Sequence, residues 1–71
     1  MDYCVVVQAC GKELDYLRGE AYRLARDAST DWCAEQRDSG TAFCFENGNV
    51  RTRFCAICTK ERVDYTIEHP G

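Results

Sequence analysis

Hydrophobic and polar positions along this chain follow two different periods. Residues 3–10, Y-C-V-V-V-Q-A-C, are mostly apolar and rich in β-branched side chains, and they stop at Gly11. That pattern predicts a strand in a central position of a sheet. Residues 12–29 switch to the helical period, with Leu14, Leu17, Ala21, Leu24, Ala25 and Ala28 recurring at three- and four-residue steps to make one apolar stripe. Glu13, Arg18, Glu20, Arg23, Arg26 and Asp27 fall largely elsewhere, and Glu20–Arg23 and Arg23–Asp27 are spaced for surface ion pairs. Gly19 costs about 1 kcal/mol against Ala in a helix interior, so it is expected to allow a close backbone approach or a bend.

Residues 30–37 are strand-like, with Trp32 and Ala34 on one face and Cys33 and Glu35 on the other. Asp38-Ser39-Gly40 is a turn signal, and residues 41–46 form a second strand in which Phe43 and Phe45 share a face. The two strands make a hairpin whose Cys33 and Cys44 stand about equally far from the turn, on one face. Residues 47–49, N-G-N, admit two readings. The stripe Val50, Phe54, Ile57, Cys58 favours a helix over residues 50–62 capped by Asn49. The alternative is an Asn-Gly hairpin followed by a strand. Residues 63–68 alternate strictly, with Val63, Tyr65 and Ile67 facing one way, and His69-Pro70-Gly71 is a terminal tail.

The order is β-α-β-β-α-β. It predicts an α+β fold, a ferredoxin-like sandwich with two helices on one face of a four-stranded antiparallel sheet, as one domain spanning residues 1–71. The sheet's other face is left open, where aromatics could make a binding platform, and its open edge would allow a homodimer without requiring one.

Size changes how the cysteines are read. A 71-residue chain carrying six cysteines cannot bury a large core, and disulfides would supply much of its net stability. Cys4, Cys10, Cys33, Cys44, Cys55 and Cys58 are therefore expected to pair, in an order that six cysteines leave open among 15 possibilities. Paired cysteines point to an extracellular protein. Met1-Asp2 runs straight into the first strand with neither a basic nor an apolar leader region. A secreted chain would then be a mature form with an added start methionine, and a native Met1 would place it inside the cell. No apolar run approaches the length of a membrane span.

Cys55-Ala56-Ile57-Cys58 is a CxxC. A redox motif would need it at a helix N-terminus, but both cysteines fall mid-helix. A zinc site would need a second close pair, and Cys4/Cys10 and Cys33/Cys44 are too widely spaced. The favoured reading is structural, each cysteine tying the second helix to another element, with no metal and no cofactor. His69 sits in the tail, where a general acid or base would be poorly held. Glu35 and Glu46 across the hairpin could pair for glycosidic chemistry, although their spacing does not single them out. The net charge of −3 disfavours general nucleic-acid binding, and the aromatic signature of an RNA-recognition module is absent. Arg51, Arg53, Lys60 and Arg62 nonetheless give residues 49–62 a local excess of positive charge, a candidate anion- or partner-binding patch because Arg51 and Arg53 lie near the second helix's N-terminus, where backbone amides also favour anions.

Element order, length and cysteine content, with Cys10 ending the first strand, Cys33 and Cys44 in the hairpin and Cys55 and Cys58 in the second helix, resemble the small secreted fungal proteins similar to the α/β-sandwich killer toxins. Many of these are candidate effectors of plant pathogens. The resemblance covers residues 3–67 and carries no functional residue. It implies a secreted, non-enzymatic virulence or toxin-like protein acting on a host or competitor protein or glycan. The alternatives from the residues themselves are a small secreted hydrolase, ribonuclease or glycan-active, and an intracellular zinc or interaction module.

Overall fold

The computed structural model describes residues 2–68. The elements follow the expected order: β1 (Tyr3–Val7), α1 (Gly11–Asp27), β2 (Trp32–Arg37), β3 (Gly40–Phe45), α2 (Gly48–Lys60) and β4 (Tyr65–Glu68). The strands form one antiparallel sheet in the order β2-β3-β1-β4. β1 and β2 are each antiparallel to β3 and so run parallel to each other, as β3 and β4 do on either side of β1. Two β-α-β units are thereby interleaved, and the fold is the ferredoxin-like α+β sandwich. It is stapled by one disulfide, Cys4–Cys44, rather than several, and Cys10, Cys33, Cys55 and Cys58 are free thiols.

Both helices cover one face. Leu17, Ala21 and Leu24 of α1 and Val50, Phe54, Cys55 and Cys58 of α2 share a core with Val5, Val7, Phe43 and Phe45. An aromatic chain runs through it: Trp32 stacks on Phe43 at 6.3 Å between ring centroids, Phe43 meets Phe54 at 4.8 Å, and Phe54 meets Phe45 at 5.5 Å. Trp32 and Ala34 therefore belong to the helix-covered face and pack against this core. Cross-strand partners share a face, so the pairings Tyr3↔Phe45 and Val7↔Tyr65 put both tyrosines on that side too. The sheet's aromatic side chains thus line the helix layer, and the face without helices is not an aromatic platform.

That second face is closed all the same. Cys4, Val6, Ala42 and Cys44 form a small buried cluster on it, with Cys33 packed alongside. This explains why the β1 run is continuously apolar: its odd residues bury under the helices and its even residues bury on the other side. Arg37 on β2 reaches Glu68 on β4, the two outermost strands, with guanidinium–carboxylate distances of 3.0 and 3.2 Å. A flat sheet would hold those strands roughly 14 Å apart. Twist brings its diagonal corners together, and the ion pair spans the face above the two central strands.

Three helix ends depart from the expected boundaries for identifiable reasons. α2 starts at Gly48, because the cap is Asn47 rather than Asn49: Asn47 Oδ1 accepts hydrogen bonds from the Asn49 and Val50 amides at 2.8 and 3.3 Å. This settles residues 47–49 as a helix start and not a hairpin. At its other end Arg62 is left-handed (φ 60°), and the Val63 and Arg62 amides donate to Cys58 and Thr59 carbonyls at 2.8 and 3.2 Å. That is a Schellman closure, so Val63 is buried as part of the helix stop and β4 begins only at Tyr65. α1 ends the same way, with Ser29 at φ 52° and the Thr30 amide donating to Ala25 at 2.9 Å. Gly40, at φ 145°, backs directly onto the Val7 carbonyl, a position no side chain could occupy.

Gly19 lies on the exposed side of α1 with nothing within 4 Å of an added Cβ, so neither a close approach nor a packing need accounts for it. Gly19→Ala should stabilise the fold by roughly 0.5–1 kcal/mol, and Arg62→Gly, which relieves a left-handed non-glycine residue, by up to about 1 kcal/mol. Each would raise the Tm by several degrees in a thermal melt. Phe54→Ala, at the centre of the aromatic chain, should cost about 3–5 kcal/mol in chemical denaturation.

Candidate functional site

α1 ends beside the point where α2 begins, and a cleft of about 290 Å³ opens between them, lined by Leu24, Asp27, Ala28, Asn47, Asn49, Val50 and Arg53. Leu24 and Val50 are its apolar floor, since both are core residues of their helices. Its polar rim combines one carboxylate, two amides and one guanidinium. The partial negative end of α1 faces the partial positive end of α2 across it. Such a lining suits hydrogen-bonded recognition of a polar group. Of these residues the sequence singled out only Arg53 as a site candidate and Asn49 as a cap. Asp27 read as a surface partner of Arg23 and Asn47 as part of the N-G-N turn, and only the packing of the two helices makes them neighbours.

The four basic residues of the expected patch are divided between the two ends of α2. Arg51 lies over the Tyr3 ring at 5.2 Å, a cation–π contact backed by Gly48 packing on the same ring. Arg53 is in the cleft, while Lys60 is in the last helical turn and Arg62 is the residue that closes it. Two of the amides that would bind an anion at the start of α2 are already taken by the Asn47 side chain. Beside the C-terminal end of α2, Tyr16 and Glu20 of α1 hydrogen-bond to each other, and Glu20 pairs with Arg23. These contacts push the Tyr16 phenol up and hold the Glu20 carboxyl down, the hydrogen bond from Arg23 being its largest cause.

Glu35 pairs with Arg37 on the helix-free face and stands opposite Ala42, whereas Glu46 lies beyond the end of β3. About four residues of strand, roughly 13 Å, separate the two levels, so this carboxylate pair is not brought together. His69 lies outside the described residues. The CxxC of α2 faces the core: Cys58 is fully buried and Cys55 nearly so. Burial pushes both thiols up, Cys58 to about 12, and such thiols are poor nucleophiles. The expectation that they tie α2 to other elements by disulfides is corrected here. They hold α2 by packing, as small apolar side chains do.

The remaining cysteines fall on one row of the sheet. Cys33 is the register partner of Cys44, and Cys44 is the register partner of Cys4. The shared face expected for Cys33 and Cys44 is therefore present. The third member could not be read from local spacing, because β1 lies far from β3 in the chain. Comparisons with protein-family models, with curated proteins and with solved structures find no match to this chain. No helix among the described residues is long and apolar enough to cross a membrane.

Alkylation of the native protein should label Cys10 first, since it is exposed, then Cys33, and should reach Cys55 and Cys58 only on unfolding. Mass mapping of a timed reaction would read that order. The pH dependence follows from the carboxylates that ion pairs hold down. Glu68, lowered chiefly by Arg37, and Glu20 contribute stability above the ordinary value of 4.5 that is lost as pH falls through their lowered folded values. Glu68→Gln should flatten the acid limb of a stability-against-pH curve by lowering its neutral region slightly, and leave the acid end, where Glu68 is already protonated, almost unchanged.

Proposed function

We propose that this chain is a secreted, non-enzymatic binding protein of the toxin-like or effector kind, acting through a partner protein or glycan on another cell. The observation that carries this reading is the Cys4–Cys44 disulfide, buried between the two central strands and closing a separation of 40 residues. A bond so placed constrains much of the unfolded chain and persists in an oxidising compartment. Its contact chemistry lies on the helix layer. Tyr16 and Tyr22 of α1 are 45% and 56% exposed, and Arg26 lies over the Tyr22 ring. Tyrosine and arginine are the residue types that anchor interfaces, because each brings a large area and a polar tip. The cleft at the helix ends adds a polar recess to the same layer.

A second reading has its own observation: Cys10, Cys33, Cys55 and Cys58 are free thiols, as in chains that fold in a reducing compartment. It makes the protein an intracellular interaction module. Trapping free thiols as the protein is isolated from its own compartment separates the two. The secreted reading expects Cys44 protected until reductant is added, and its complete alkylation without reductant would overturn it. Purified oxidised protein should also alter growth or viability of target plant or fungal cells, and Tyr22→Ala combined with Arg53→Glu should weaken that response at least tenfold without lowering the Tm. Hydrolysis of RNA or glycan substrates by the pure protein at enzymatic rates would instead establish the hydrolase.

A further inference from the structure

The helix-free face holds three cysteines on three neighbouring strands, with a disulfide between two of them and a thiol on the third. Cys44 of β3 is bonded to Cys4 of β1, and Cys33 of β2 stands directly opposite Cys44 on the other side. We propose that this row is a thiol–disulfide exchange site, in which one disulfide passes between a β1–β3 link and a β2–β3 link.

The strand order provides the geometry. Exchange requires the attacking sulfur to approach the central sulfur from the side opposite the leaving one. β3 lies between β2 and β1, so Cys33 and Cys4 flank Cys44 from opposite sides. Cross-strand neighbours in an antiparallel sheet have Cα atoms about 4.5 or 5.5 Å apart, and the longer spacing lies within the range a disulfide spans. The Cys4–Cys44 Cα separation is 4.0 Å, which marks the close, non-hydrogen-bonded type of pair. A residue's backbone groups point to one side, so Cys33↔Cys44 is the wider type. Burial provides the selectivity: Cys4 and Cys44 are buried, which shields both bonded sulfurs from thiols in solution, while Cys33 is half-exposed and already in contact with the cluster.

The step balances within the chain. The Cys33 thiolate attacks Cys44 Sγ, the Cys33–Cys44 bond forms as the Cys44–Cys4 bond breaks, and the electron pair leaves on Cys4 Sγ. Cys4 takes up from solvent the proton that Cys33 gave up, and no net oxidation occurs. The new bond lies within the β2–β3 hairpin and closes a shorter loop, so β1 loses its covalent tie. The proposal rests on the row holding one disulfide, as the secreted reading supplies, and its test on oxidised protein is separate from the test of that reading.

The test equilibrates oxidised wild-type protein at neutral pH with reduced and oxidised glutathione, quenches it in acid, alkylates it and maps the bonds by mass spectrometry. Single-disulfide protein should contain both Cys4–Cys44 and Cys33–Cys44 linked peptides, with the alkyl label divided between Cys33 and Cys4. Cys4→Ser should place its disulfide at Cys33–Cys44, and Cys33→Ser should show Cys4–Cys44 alone. Wild-type protein in which the label stays on Cys33 and only Cys4–Cys44 is found after equilibration would overturn the proposal. So would a Cys4→Ser protein with a native circular dichroism spectrum whose Cys33 and Cys44 stay unbonded to each other. The wild-type measurement decides the matter even where Cys4→Ser fails to fold.

Discussion

The structure depends on burying both faces of its two central strands. A sheet with two helices has a layer for one face only, yet β1 and β3 carry apolar side chains on both. The helices serve the first face through the Phe43–Phe54–Phe45 cluster. The second is served by small residues that pack flat (Cys4, Val6, Ala42 and Cys44) and by the reach of Arg37 to Glu68 over them. Small side chains suit that face because no helix or strand among the described residues packs over it for large ones to interdigitate with. The disulfide belongs to the same solution. It joins the two strands that are wanted on both sides, and its sulfurs add to the apolar cluster.

The same economy shapes the helix ends. Both helices stop in Schellman closures built on non-glycine residues, Ser29 and Arg62, where a glycine would adopt the left-handed backbone at less cost. Both stops are followed within a few residues by the next strand, so the closure sets the angle at which the chain re-enters the sheet. The start of α2 is tied down by Asn47, and the end of α1 lies beside it. The cleft between them follows from this packing: two helices that meet at their ends cannot fill the space between those ends with the side chains of their buried stripes. What remains is floored by Leu24 and Val50 and rimmed by capping and end residues, which are polar because helix ends are.

Much of this was legible along the chain. The change from an apolar run to a three-and-four period and back reports local backbone geometry, which residues i to i+4 decide among themselves. Hence the element order, the buried stripe of α1, the surface pairs of Arg23 with Glu20 and Asp27, and the shared face of Cys33 and Cys44 could be read from spacing alone. The central place of β1 was legible as well, since only a strand buried twice can dispense with polar residues. The candidate site was far less legible. Arg51 and Arg53 look like one patch in the sequence, but two residues apart on a helix they point to opposite sides, one to Tyr3 and one to the cleft.

What the sequence determined by itself is the set of elements, their order and the fold class, because these follow from periodicity and from the few ways such elements can pack. What only the tertiary structure decided is which distant residues become neighbours. Cys4 meets Cys44 and not another cysteine because β1 and β3 pair in one register across 40 residues of intervening chain. Cys55 and Cys58 stay thiols because their helix turns them into the core, on the other side of the sheet from the Cys4, Cys33 and Cys44 row. Arg37 finds Glu68 because the sheet twists. Each is a matter of register, rotation or twist between segments, and local spacing carries no record of those.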